Sequence, residues 1–158
     1  WILFLTCRGT VKAYQKIDDT NGGFTGVLND FDFFTVVVSP GDINGDGIPD
    51  LVVGAPRDDD GGQDIGAVWV IMLNSDGTVQ THSKISATQG GFQGLLDDGD
   101  CFGNSLMPLG DVDGNGLQDL AVGALMDDDG GVDFGAVWLL YLGPQKDRWH
   151  PGPPTLAR

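Results

Sequence analysis

The chain has 158 residues and a formal net charge of -15, a length that suits one domain or part of a longer repetitive one. All 23 acidic residues are Asp, and 26 Gly and 8 Pro accompany them, so helices should be scarce: Glu favours helix, whereas Asp favours turns, caps and metal loops. The acidity excludes a basic nucleic-acid groove, two cysteines exclude a disulfide framework, and no apolar run approaches the roughly 20 residues of a membrane span.

A hydrophobic share of 41% is enough for a packed core, which argues against disorder. In chain order, "WILFLTC" lacks a basic leader and is too short for a signal sequence. A start at Trp1 without Met suggests a processed or truncated polypeptide. Residues 1–17 match 69–85 nearly position for position, so they read as the second half of a repeated unit. "KIDDTNGGFTGVLND" (16–30) recurs at 84–98, an offset of 68. "GDINGDGIPDLVVGA" (41–55) recurs as "GDVDGNGLQDLAVGA" (110–124), and "DDDGGQDIGAVWVIML" (58–73) as "DDDGGVDFGAVWLLYL" (127–142), both at an offset of 69. The one-residue difference falls between residues 30 and 41. Self-similarity at a fixed period signals a repeat architecture.

Four strands are expected per unit. The first lies at 34–39 and 102–108, the second at 51–54 and 120–123, the third at 67–73 and 136–142, and the fourth at 78–85 with an earlier copy at 10–17. "VWVIML" and "VWLLYL" are apolar on both faces, as a strand buried between layers requires. Asp76-Gly77 marks a tight hairpin between the third and fourth strands. The expectation is all-β, with antiparallel four-stranded blades of β-propeller type and two to two and a half of them in the chain. The expected division is 1–17 as the second half of a first blade, 18–85 as a complete blade, 86–143 as a blade lacking its last strand, and 144–158 as a Pro-rich extended tail.

The acidic loops carry the chemistry. Asp42, Asn44, Asp46 and Asp50, with their counterparts Asp111, Asp113, Asn115 and Asp119, fall at positions 1, 3, 5 and 9 of each loop. A chain curling around Ca²⁺ presents alternate oxygens inward; Gly47 and Gly116 permit the turn, and the carbonyls of Ile48 and Leu117 supply a further ligand. Hard oxygens without His or Cys suit Ca²⁺ and exclude a soft metal. The competing reading is a pair of metal-free Asx turns. A second set, Asp58, Asp60 and Asp64 with Asp127, Asp129 and Asp133, reads equally as a further cation site or as solvated loop. The loops "LNDFD" and "LDDGD" read as solvated. His82 and His150 stand alone with no nucleophile pattern, so no enzyme is expected. Trp1, Trp69 and Trp138 occupy equivalent third-strand positions and read as packing between blades; Trp149 gives no clear role. Cys7 and Cys101 lie in loops at opposite ends of the strands, so no bridge between them is expected.

The segments "FG" at 102–103, "DINGDGIPDLVVGAP" at 42–56, "DVDGNGLQDLAVGA" at 111–124 and the two "GAVW" runs resemble the FG-GAP repeats of integrin α-subunit propellers, and more closely their tandem bacterial extracellular versions. The resemblance covers about residues 1–143. It implies calcium in the loop between the first and second strands of each blade, with partner-binding loops on the opposite face. Two departures stand out: Phe34-Thr35 replaces "FG" in the first copy, and Leu125 replaces the Pro of "GAP" in the second.

These residues lead to an extracellular or cell-surface, calcium-binding structural or adhesion module. Its blades would be completed by a longer parent chain, or by other copies in an oligomer or filament. The alternatives are accessory repeats of a secreted hydrolase and a calcium-dependent glycan-binding module.

Overall fold

The computed structural model describes residues 1–143, and the expected Pro-rich tail lies outside them. Among the described residues the chain is all β. Strands β1 (Ile2–Leu5) and β2 (Val11–Gln15) form one hairpin. Strands β3 (Val36–Gly41), β4 (Asp50–Ala55), β5 (Ala67–Leu73) and β6 (Val79–Ile85) form a four-stranded sheet, and β7 (Phe102–Gly110), β8 (Asp119–Ala124) and β9 (Ala136–Leu140) a three-stranded one. All pairings within the sheets are antiparallel and follow chain order. This is the topology of propeller blades.

The core lies between the blades. Strand β5 is apolar on both sides because both sides are covered. Val68 and Val70 pack with Leu120 and Val122 of the following blade, against which Trp138 and Leu140 also close. Trp69, Ile71 and Leu73 pack the other way, toward Ile2 and Ile17 of the first hairpin. Each fully buried Val, Leu or Ile contributes about 1.5–3 kcal/mol, so the two contacts dominate the stability of the central blade. Trp69 and Trp138 therefore serve the packing expected of them; each meets a loop phenylalanine, Phe24 or Phe92, edge-on at 5.1 Å. Trp1 does not. It is 72% exposed and touches Tyr14, because no described strand lies on that side of the hairpin. Strand β9 likewise buries only one face, and Val137, Leu139 and Tyr141 remain exposed.

The "FG" dipeptide joins one blade to the next. Phe102 is fully buried, and its N–H donates to the Ile65 carbonyl at 2.8 Å while it bridges Gly66. The backbones approach so closely that a Cβ on Gly54 would lie 2.0 Å from the Gly103 carbonyl oxygen. Gly103 itself has φ +90°, a left-handed conformation that favours glycine.

The structure also locates the one-residue difference between repeats. Val36 and Ser105 pair with equivalent residues, Gly54 and Gly123. Ahead of them stand Phe34-Thr35 in one copy and Phe102-Gly103-Asn104 in the other. The extra residue forms a bulge in β7 between Phe102 and Ser105. Strand β3 begins at Val36, two residues later than its sequence suggests, whereas β7 begins at Phe102, which pairs with Ala124 ahead of the bulge; positive φ just before the strand is common to both copies, at Phe33 and Cys101. Strand β9 stops at Leu140 because Leu142 turns to bond the acidic loop.

Replacing Gly54 by Ala places the new Cβ against a backbone oxygen that cannot move aside. We expect a loss of about 2–3 kcal/mol in a denaturant melt; a cost below half a kcal/mol would show that the two blades are not held in this contact.

Candidate metal centre

Each acidic loop leaves the first strand of a blade and returns into the second, and its own backbone amides shape it. Asp111 accepts from the N–H groups of Gly114 (2.7 Å), Asn115 (2.9 Å) and Gly116 (2.8 Å), and Asp42 accepts likewise from Gly45, Asp46 and Gly47. The Gly47 N–H foremost, with the other amides, holds the Asp42 carboxyl below the usual range. The stabilisation is present above the ordinary carboxylate pKa and is lost as pH falls through the lowered one. Asp42 thus stays ionised at neutral pH, and in both loops the first aspartate has its oxygens held in place by loop amides.

Asp50 and Asp119 tie the loop to the blade. Both are buried. Asp50 accepts from Ile43 N–H at 2.8 Å and Leu73 N–H at 2.9 Å; Asp119 accepts from Val112 at 2.8 Å and Leu142 at 3.0 Å. One carboxylate therefore connects the loop, the second strand and the end of the third.

The two copies differ at the centre. In the second loop, oxygens of Asp111, Asp113 and Asp119 all lie within 4.8 Å of one another, a span that fits ligands around a cation at Ca²⁺–oxygen distances of 2.3–2.6 Å. It is the one such acidic group among the described residues. Asn115 is drawn aside, its amide N–H donating to the Leu142 carbonyl at 2.7 Å. The first loop has Asn44 where the second has Asp113. The Asn44 amide N–H donates to Asp46 at 3.0 Å and to Gln80 at 3.1 Å, so Asp42, Asp46 and Asp50 do not form the same cluster. The N–H groups of Ile48 and Leu117 bond Asp46 and Asn115 at 2.8 Å.

The second acidic set is divided. Asp58 is buried, and the Lys84 ammonium lies 2.7 Å from it and 3.0 Å from Asp60. Burial opposes ionisation of Asp60, but Lys84, Ser86 and Gln89 outweigh it and keep its pKa low. Asp64 stands apart, 4.0 Å from Arg57. In the second copy Asp127 is buried while Asp129 and Asp133 are exposed. The solvated reading of "LNDFD" and "LDDGD" is corrected at one residue in each: Asp32 and Asp100 are 2% and 4% exposed. Each accepts a backbone N–H three residues earlier, from Asn29 or Asp97, and burial pushes its pKa up.

Sequence reasoning missed Lys84, although the "KI" shared by residues 16–17 and 84–85 marked it. The repeated Asp-x-Phe at 32–34 and 100–102 was the corresponding signal for the buried carboxylates. His82 packs between Phe24 and Trp69 and bonds Thr25 at 3.0 Å; His150 and Trp149 lie outside the described residues. Cys7 is exposed and Cys101 buried, and neither is bridged to the other.

Removing Lys84 strands a buried carboxylate. Lys84→Met should cost about 3–5 kcal/mol, and adding Asp58→Asn should recover most of it. Chemical denaturation of the three proteins tests this, and a loss under 1 kcal/mol for the single variant would contradict it.

The FG-GAP repeat family matches at residues 34–71 and 102–140. The chain is 32% identical over 125 residues to integrin alpha-2 of Mus musculus, covering 78% of this chain and 10% of that one. It is 36% identical over 130 residues to integrin alpha-PS5 of Drosophila melanogaster, 78% and 12% of the two chains. Identity reaches 41% over 93 residues with integrin alpha pat-2 of Caenorhabditis elegans, 58% and 7%. The chain spans about a tenth of the length of these relatives. With two matched repeats, the strand order of propeller blades and the Phe-Gly contact between them, the chain belongs to the FG-GAP repeat family.

Proposed function

We propose that the chain is a calcium-stabilised structural or adhesion module of the extracellular space, completed by neighbouring repeats, and that it performs no catalysis of its own. The observation that carries the calcium reading is the gathering of Asp111, Asp113 and Asp119 oxygens within 4.8 Å in a loop that its backbone has already shaped. Asp119, Asp111 and Asp113 would hold the ion, with Leu117 donating its carbonyl. The ion would offset their mutual repulsion and fix the turn between the first two strands. In the first loop Asn44 would exchange its bond to Asp46 for the cation.

The likeness to integrin α subunits supports an extracellular place and protein partners. Exposed apolar surface at both ends supports completion from outside: Trp1, Leu3 and Leu5 at one end, Val137, Leu139 and Tyr141 at the other. These sets are the repeat counterparts of Trp69, Ile71 and Leu73 and of Val68, Val70 and Met72, which meet neighbouring blades within the chain. A cleft of about 360 Å³ lined by Gly123, Gly135 and Ala136 corresponds to the place where Gly54, Gly66 and Ala67 receive Phe102-Gly103. Other copies of the chain, or more of a longer one, would supply the missing faces.

Extracellular modules bind Ca²⁺ with Kd of about 10⁻⁴–10⁻³ M. At a tenfold excess each ion would add roughly 1.4 kcal/mol by mass action. Thermal melts in chelator and in millimolar Ca²⁺ should therefore differ, and Asp111→Asn with Asp113→Asn should remove the second loop's share. Identical melts in the two conditions would defeat the calcium assignment.

A further inference from the structure

Two third-strand tryptophans carry a lysine from the fourth strand. Trp69 pairs in register with Lys84, whose ammonium lies 5.3 Å from the indole centroid and rests on Asp58 and Asp60. In the first hairpin Ile2 pairs with Gln15, which brings Lys16 to 6.0 Å from the Trp1 ring. The third tryptophan, Trp138, stands in the same position of β9. Asp127 and Asp129 are the repeat counterparts of Asp58 and Asp60. Asp127 is only 6% exposed, yet no cation meets it among the described residues, and the outer edge of β9 has no described partner.

We propose that Trp138, Asp127 and Asp129 form a socket for the lysine of an incoming β-strand, so that the β9 edge accepts a strand of the chain's own fourth-strand type and selects it by that one cation. The rest of the contact is ladder hydrogen bonding that any extended chain supplies. The lysine adds what a generic strand lacks: a charge-assisted bond to a nearly buried carboxylate and a cation over an indole face. Asp58 and Asp60 show the completed state within the same molecule, with Ser86 and Gln89 of the following loop closing over Asp60 at 3.0 and 2.5 Å. The inference rests on the reading that blades are completed from outside, and it names what the completing strand must bring.

The test uses the full chain and a synthetic peptide of residues 78–87, TVQTHSKISA, followed by fluorescence of a label on the peptide. The peptide should bind, and its Lys84→Met version should bind about tenfold more weakly. Asp127→Asn in the chain, or Asp129→Asn should the first variant fold poorly, should shrink that difference to less than threefold. Equal binding of both peptides would overturn the lysine socket while leaving completion by added strands intact. Absence of any peptide binding would overturn both. Self-association that shuts out the peptide and is unchanged by Lys16→Met would assign the edge to a second copy and overturn the socket.

Discussion

A sheet whose third strand is apolar on both faces cannot rest in water; it needs a neighbour on each side. That requirement organises this molecule more than any single bond. Strand β5 meets it twice, with Trp69, Ile71 and Leu73 turned one way and Val68, Val70 and Met72 the other. The close backbone contact at Gly54 and Gly103 and the burial of Phe102 follow from pressing two such sheets together. The exposed faces of β1 and β9 follow from the same rule where no described strand answers it.

Aspartate does three different jobs around this frame, each suited to its short stem. Asp42 and Asp111 gather backbone amides and shape the loops. Asp50 and Asp119 are buried ties between the loop and the third strand. Asp58 anchors a nearly buried lysine. Glutamate, one methylene longer, would overshoot the amides three to five residues away in the loops and would crowd the strand ends. The high negative charge is therefore a by-product of local geometry as much as a solubility device.

Periodicity made the strands and their order legible, since turn signals and apolar runs recur in two copies. The loop residues at positions 1, 3, 5 and 9 were legible for the same reason. What stayed hidden depends on pairing across the chain. Lys84 looks like an ordinary strand lysine until register sets it opposite Trp69 and above Asp58. Asp32 and Asp100 look solvated because each closes a loop with another acidic residue in it, and only the fold shows their side chains buried. The late start of β3 was hidden because the residue missing from this copy falls at the strand's own start, between Phe34 and Val36. Trp1 was misjudged for a simpler reason: strand position predicts a packing face, but not that something lies against it.

The bulge in β7 gives the spacing between repeats a meaning of its own. Phe102-Gly103-Asn104 stands where the other copy has Phe34-Thr35, so the extra residue falls at the contact between the two blades. Length variation here is not slack in a surface connection; it is written into the joint itself.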